Sequence, residues 1–155
     1  MTATCPALTS SPKATNAEPE QYAESAFGFL RDEHGAKFRA ERQSHRTVLA
    51  YVLPAIFFEV ELDWREAAVF LLLGRTIEGR RPKGYYVDES GRKVRWHLVA
   101  VLDRDGPVCR AIAADLRRVA RGSGPDAMAA QIDRFAAALR EVLAELPRLL
   151  DNLPT

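Results

Sequence analysis

The sequence predicts an α+β domain in which an N-terminal helix precedes an antiparallel sheet of three or four strands and a C-terminal antiparallel helical hairpin. Between residues 36 and 76 apolar and polar side chains alternate, which is typical of β-strands. Apolar residues at helical spacing come before and after that region. The last helix carries an unbroken a/d stripe with steps of four and three residues, formed by Met128, Ile132, Phe135, Leu139, Val142, Leu146 and Leu149.

Length and composition restrict the class of protein. A chain of 155 residues fits one domain, predicted over residues 18–153, and its net charge of +1 argues against overall attraction to nucleic acid or membranes. No stretch approaches the ~20 apolar residues that a membrane span needs. Residues 1–17 lack the apolar core of a secretory signal. Two cysteines do not suggest a disulfide framework. These features predict a cytoplasmic protein without a membrane partner.

The first element is predicted to be a helix that follows a disordered leader. Residues 1–17 contain few large apolar side chains and several prolines, so they bury too little surface to offset their ordering entropy. Asn16 is a suitable N-cap, and Gly35 is a suitable stop signal. The helix is therefore expected to extend to about Glu33.

The alternating region predicts strands joined by turns near residues 43–44, 53–54 and 63–65. The third strand places its aliphatic residues and Phe58 on one face, and Glu59, Glu61 and Asp63 on the other. Such a division indicates a sheet that is covered on one side only. The three carboxylates are interpreted mainly as a solvated face, with partner contact or catalysis as alternatives.

The 75–96 segment is a long connection that is rich in glycine, with a small hairpin predicted around residues 85–96. Residues 97–102 fit a short helix or a buried strand, and the helix is favoured. A helix beginning after Asp105 and Gly106 then carries its own apolar stripe of Cys109, Ile112, Leu116 and Val119.

A break at residues 122–125 separates this helix from the last one, which predicts the helical hairpin. The four apolar residues of the helix that begins after Gly106 are too few to cover the seven-residue stripe of the last helix. The N-terminal helix, the sheet or another chain must cover the remainder. A strict a/d stripe is narrower than a usual core-facing helix, so a homodimer through the C-terminal helix is expected.

No catalytic, metal-binding or cofactor-binding motif is present. His34, His45 and His97 have no second ligand at helical spacing, and Cys109 lies on an apolar stripe that suits a buried thiol. The Gly-Ser-Gly run near residue 123 follows a helix and lacks the Lys-Ser/Thr ending of a phosphate loop. The sequence therefore predicts a non-enzymatic protein without a cofactor, although an enzyme with a dispersed site is a third possibility.

The strongest candidate site is the 75–96 segment, because its basic residues outnumber its acidic ones by seven to three and aromatic residues lie among them. Such a surface suits a protein interface or, as the runner-up, nucleic acid. The predicted partner-binding residues are Arg75, Arg80, Arg81, Lys83, Tyr85, Tyr86, Arg92, Lys93, Arg95 and Trp96.

Two runs resemble small actinobacterial proteins that are largely uncharacterised: FGFLRDEHGAKF at residues 27–38 and VFLLLGR at residues 69–75. Some of those proteins are placed among the immunity proteins of bacterial toxin systems. The resemblance covers about residues 24–76, but His34 and Ala36 replace aromatic residues of the family pattern and the 75–96 segment is longer. It implies a protein that binds a partner without catalysis, and it transfers no functional residue.

Overall fold

The computed structural model describes residues 14–122 and 125–153. Helix α1 is Ala14–Ala26 and the short helix α2 is Phe29–Asp32, where the sequence predicted one continuous helix. The break buries Phe27, Phe29 and Leu30 together. In a regular helix Phe27 and Phe29 would point to opposite sides. Most of the predicted leader, residues 1–13, lies outside the described residues.

The sheet is an antiparallel meander of five strands in the order β1-β2-β3-β4-β5. The strands are β1 Lys37–Arg42, β2 Arg46–Val52, β3 Ile56–Asp63, β4 Ala68–Arg75 and β5 Trp96–His97. The predicted count of three or four strands was wrong, because β5 pairs with β4 over only two residues. A strand of that length leaves no periodic signal in the sequence.

The predicted turns between the first strands are confirmed by backbone hydrogen bonds. The amide of Gln43 donates to the carbonyl of Arg46 at 2.8 Å, and the amide of Leu53 donates to the carbonyl of Ile56 at 2.9 Å. Gly35 precedes β1 with a φ of +72°, a conformation that glycine adopts without steric cost. The alternating pattern and the turn residues between its runs therefore predict both the strands and the hairpins that join them.

The C-terminal part contains four helices where the sequence predicted a two-helix hairpin. They are α3 Leu98–Asp103, α4 Pro107–Ala120, α5 Pro125–Val142 and α6 Leu146–Asp151, with a 3₁₀ turn before α6. The helical interpretation of residues 97–102 is thus confirmed, apart from His97, which belongs to β5. Helices α4 and α5 run antiparallel, as two contacts show. Asp115 of α4 pairs with Arg134 of α5, whereas the carbonyl of Val119, later in α4, accepts a hydrogen bond from Gln131, earlier in α5.

The seven residues of the a/d stripe are all buried within one chain. Helix α5 packs on α1 and β4 as well as on α4. Gln131 illustrates the contact with the sheet, because its side-chain oxygen accepts a hydrogen bond from the amide of Val69 at 3.0 Å. The uncovered turns that suggested a homodimer are therefore covered by α1 and the sheet, and a homodimer through this stripe remains only a prediction.

Truncation of the stripe should destabilise the fold. Leu139 is fully buried, so Leu139→Ala should lower the free energy of unfolding by about 2–5 kcal/mol. Glu141→Ala, on the exposed side of the same helix, is the matched control and should change it by about 0.5 kcal/mol or less. Urea denaturation measures both. Equal midpoints for the two variants would contradict the packing of α5.

Candidate functional site

The second face of the sheet, opposite the helices, is covered by the 75–96 segment. Phe57 and Leu72 point to this face and are fully buried, and Pro82 and Val94 of the segment are buried above it. The expectation of a sheet covered on one side only is therefore wrong. The interpretation of Glu59 and Glu61 as part of a solvated face is also wrong, because they are 3% and 5% exposed. Asp63, the third carboxylate, is half-buried and accepts hydrogen bonds from the amides of Arg65 and Glu66.

Arg95 connects the segment to the centre of the sheet. Its Nε donates to Oε1 of Glu59 at 2.8 Å and its Nη2 donates to Oε2 at 3.0 Å, a bidentate pair. The same guanidinium donates to the carbonyls of Pro82, Gly84 and Tyr85 at 3.1, 3.0 and 3.0 Å. All five N–H groups of Arg95 thus have an acceptor. One side chain fixes both the position and the backbone path of the segment.

Arg81 provides a second cation for the same carboxylate. Its Nη1 lies 2.7 Å from Oε2 of Glu59, and its Nη2 binds Glu41 of the edge strand β1. Burial alone would raise the pKa of Glu59, but the hydrogen bonds from Arg95 and Arg81 outweigh it and lower the pKa. Glu59 is therefore held as a carboxylate between two arginines.

Glu61 has a separate set of partners on the same face. The hydroxyl of Tyr85 donates to Oε2 of Glu61 at 2.5 Å, while Nη1 of Arg46 lies 3.3 Å from Oε1. The guanidinium of Arg46 also lies over the ring of Tyr85, 5.1 Å from its centroid. Burial and the hydrogen bond to Glu61 raise the pKa of Tyr85, so its hydroxyl remains a donor.

His97 of β5 contacts Tyr86, the residue that follows Tyr85 in the segment. Its Nε2 lies 2.8 Å from the hydroxyl of Tyr86, and its ring meets that of Phe70 edge-on at 5.9 Å. Burial lowers the pKa of His97, partly offset by Glu61. The histidine is thus a packed, neutral contact between β5 and the segment.

Gly74 in β4 allows the segment to approach the sheet closely. A Cβ at this position would lie 2.3 Å from the carbonyl oxygen of Val94 and 2.9 Å from the ring of Phe57. Real Cβ atoms do not approach backbone to that distance, so glycine is required here. Sequence reasoning missed this role, for which a glycine inside an apolar strand is the only signal.

The carboxylate of Glu59 is enclosed within the cluster. Its side chain is 4% exposed and both of its oxygens accept hydrogen bonds from arginine. An acid–base pair needs access and opposed environments. Within the described ranges, no group of three or more histidine, cysteine or carboxylate side chains is arranged to hold a metal ion.

The ten predicted partner-binding residues divide into two sets. Arg81, Tyr85 and Arg95 point towards the sheet and are engaged internally. The others lie on the outside of the segment or at its ends: Arg75, Arg80, Lys83, Tyr86, Arg92, Lys93 and half-buried Trp96. Arg75 pairs with Asp151. Among described residues, Arg80, Lys83, Arg92 and Lys93 have no ion-pair partner within 4.0 Å.

Exposed apolar side chains are concentrated on the same outside. In the part of the chain that the structure describes, six large apolar residues are exposed; three of them belong to this segment, and a fourth, Phe70 of β4, contacts His97 just after it. These four are Phe70, Ile77, Tyr86 and Val87, which we call, together with Arg80, Lys83, Arg92 and Lys93, the outer surface. Ile77 and Val87 were missed by sequence reasoning, although two aliphatic residues in a turn-rich loop were a usable signal.

Comparison of the chain with protein-family models, with curated proteins and with solved structures finds no match in any of the three. The resemblance to immunity proteins therefore remains an interpretation of the sequence. Of the helices that the structure describes, none combines the length and the apolar character that crossing a membrane requires.

The Glu59–Arg95 pair should show strong energetic coupling. Arg95→Met leaves a buried carboxylate with one arginine and removes donors from three carbonyls, so it should destabilise by about 3–5 kcal/mol. The double variant Glu59→Leu, Arg95→Met should cost less than the sum of the single changes. Thermal and urea denaturation of the cycle measure the coupling. Additive effects would show that the pair is not buried as described; exposed Arg92→Met is the control.

His97 should make stability depend on pH in a defined direction. Its folded pKa is below the unfolded value of 6.5, so the unfolded chain binds the proton more readily. The contribution of neutral His97 to the free energy of unfolding is complete above pH 6.5 and is lost as the pH falls through the folded pKa. His97→Gln should reduce the fall in the free energy of unfolding as the pH decreases from 6.5 towards the folded pKa of His97. An unchanged slope in His97→Gln would refute this role.

Proposed function

We propose that the protein acts by binding another protein, without catalysis, and that the outer surface is the contact. The observation that carries this proposal is the concentration of exposed apolar side chains, including Ile77, Tyr86 and Val87, on a segment fixed from beneath by buried ion pairs. Contiguous exposed apolar groups ringed by polar residues are typical of interaction sites.

The way in which the segment is fixed supports a role in recognition. Arg95 and Arg81 tie its inner side to β3 and β1, so the outer side chains project from a backbone that is already ordered. A preordered surface loses less conformational entropy on association. Tyr86 is of a residue type that is enriched at energetic hot spots. The surrounding cations would favour an acidic partner and increase its rate of encounter.

Nucleic acid is the second candidate, and the charge distribution supports it less well. Arg81 and Arg95 are paired with carboxylates beneath the segment. The four outer cations share the segment with Glu78, Asp88 and Glu89. A phosphate backbone needs several unpaired cations close together, because its affinity comes from the release of condensed counterions.

The sequence resemblance suggests which process such binding could serve. It implies an immunity-like protein that neutralises a toxin in the cytoplasm, and regulation of a neighbouring protein is the alternative. Association with a second copy remains compatible with the outer surface.

Affinity capture with the tagged full-length chain, followed by mass spectrometry and measurement of affinity for the captured protein, tests the proposal. Tyr86→Ala should weaken binding by about 2 kcal/mol, as loss of a central hot-spot residue does. Val108→Ala, which truncates an apolar residue 70% exposed on α4, is the matched control and should leave affinity unchanged.

The competing function gives a different result. Two results would contradict protein binding. One is captured material that is lost on nuclease treatment; the other is an affinity for nucleic acid whose logarithm falls with the logarithm of salt concentration with a slope near −0.9 per phosphate. Equal affinity of Tyr86→Ala and Val108→Ala for the captured protein would exclude the outer surface as the contact.

A further inference from the structure

A cleft of ≈ 270 Å³ opens at the margin of the outer surface, between the ends of the 75–96 segment and helix α6, and Ile77, Arg92 and Lys93 of the outer surface line it. Its apolar lining comes from both sides: Val94 and Trp96 belong to the segment and β5, while Leu150 and Leu153 belong to the C-terminal end. The cleft therefore lies where the segment that covers one face of the sheet meets the C-terminal helices that cover the other. It is separate from the buried cluster around Glu59.

The rim of the cleft is cationic. Arg75, Arg92 and Lys93 line it, and none of the described residues that line it is acidic. Arg75 pairs with Asp151, but the two side chains are 51% and 67% exposed, so solvent weakens the pair and Arg75 can exchange its partner. The ammonium of Lys93 lies 5.8 Å from the centroid of the Trp96 ring. Positive charge is thus placed directly above an apolar floor.

We propose that this cleft binds an apolar side chain of the partner protein that is flanked in its sequence by a carboxylate. The proposal rests on the protein-binding function above and specifies the partner's chemistry. The floor accepts an aliphatic or aromatic group, and the rim pairs with the neighbouring Asp or Glu. Charge complementarity selects this occupant, because a basic segment would meet three cations and no lining carboxylate.

The size of the cleft favours one anchor residue over a small-molecule cofactor. Its volume of ≈ 270 Å³ is at or below the lower end of the ~300–1,000 Å³ range of ligand pockets. Side-chain pockets of this kind hold one residue of a longer interface. A short peptide that carries only the anchor should therefore bind with a dissociation constant of about 1 mM.

Titration of the ¹⁵N-labelled full-length chain with two synthetic peptides tests this proposal by NMR. The first is acetyl-Asp-Leu-Phe-Asp-amide, and the matched control is acetyl-Asn-Leu-Phe-Asn-amide, which has the same shape without charge. The acidic peptide should shift the indole N–H of Trp96 and leave that of Trp64, which donates to Thr47 on another edge, unchanged. The neutral peptide should bind about fivefold more weakly, since exposed ion pairs contribute little each.

Paired substitutions locate the charge. Arg92→Gln with Lys93→Gln should weaken binding of the acidic peptide by about fivefold. Arg80→Gln with Lys83→Gln, which alters two exposed cations that do not line the cleft, should change it by less than about twofold.

Three outcomes would overturn the proposal: no shift at about 10 mM peptide, equal affinity for both peptides, or octanoate binding as tightly as the acidic peptide. The last outcome would assign the cleft to a small amphiphilic anion. Tyr86 does not line the cleft, so Tyr86→Ala should retain peptide binding. If the acidic peptide does not bind while capture still depends on Tyr86, the cleft proposal alone is rejected. If the peptide binds while capture does not depend on Tyr86, the contact through Tyr86 alone is rejected.

Discussion

The ion pair between Arg95 and Glu59 is the interaction on which the second layer of this fold depends. A loop that lies on a sheet buries backbone carbonyls, and each of them needs a donor. Arg95 supplies donors to three such carbonyls and to both oxygens of Glu59. A lysine would offer three donors from a single point, so only arginine can satisfy this arrangement.

The two faces of the sheet are covered by different physical means. On one face helices α3 and α5 contact the strands, and α1 and α4 pack on α5, so that aliphatic and aromatic side chains are buried and removal from water provides the stabilisation. On the other face a segment without regular structure relies on charge-assisted hydrogen bonds around Glu59 and Glu61. Buried ion pairs gain little net stability after desolvation, but they tolerate few alternative geometries. The helical layer is thus held by apolar burial, whereas the segment is held by the ion pairs together with the buried apolar residues Phe57, Leu72 and Val94.

The longer helices and strands could be predicted from the sequence, whereas the pairing of Glu59 with Arg95 could not. The stripe through Leu139 and the alternation along β3 are local patterns with a fixed period, so they indicate helix, strand and buried face directly. Glu59 and Arg95 are 36 positions apart, and nothing local to either residue indicates a partner. Charged residues are usually exposed, so both groups were interpreted as surface. The two-residue strand β5 and the break before α2 are likewise set by tertiary packing.

Neighbouring residues of the same type have opposite roles along the segment, which explains why its composition was ambiguous. Arg81 reaches Glu59 while Arg80 is exposed, and Tyr85 reaches Glu61 while Tyr86 is exposed. Each inward residue thus has an outward neighbour, although the rings of Tyr85 and Tyr86 still contact each other, with 4.4 Å between their centroids. The excess of seven cations over three acids suggested a protein interface with nucleic acid as the runner-up, yet the buried Arg81 and Arg95 neutralise carboxylates beneath the segment. The outward cations Arg80, Lys83, Arg92 and Lys93 can therefore vary without disturbing the ion pairs beneath them, whereas Tyr86 is tied to the fold through its contact with His97.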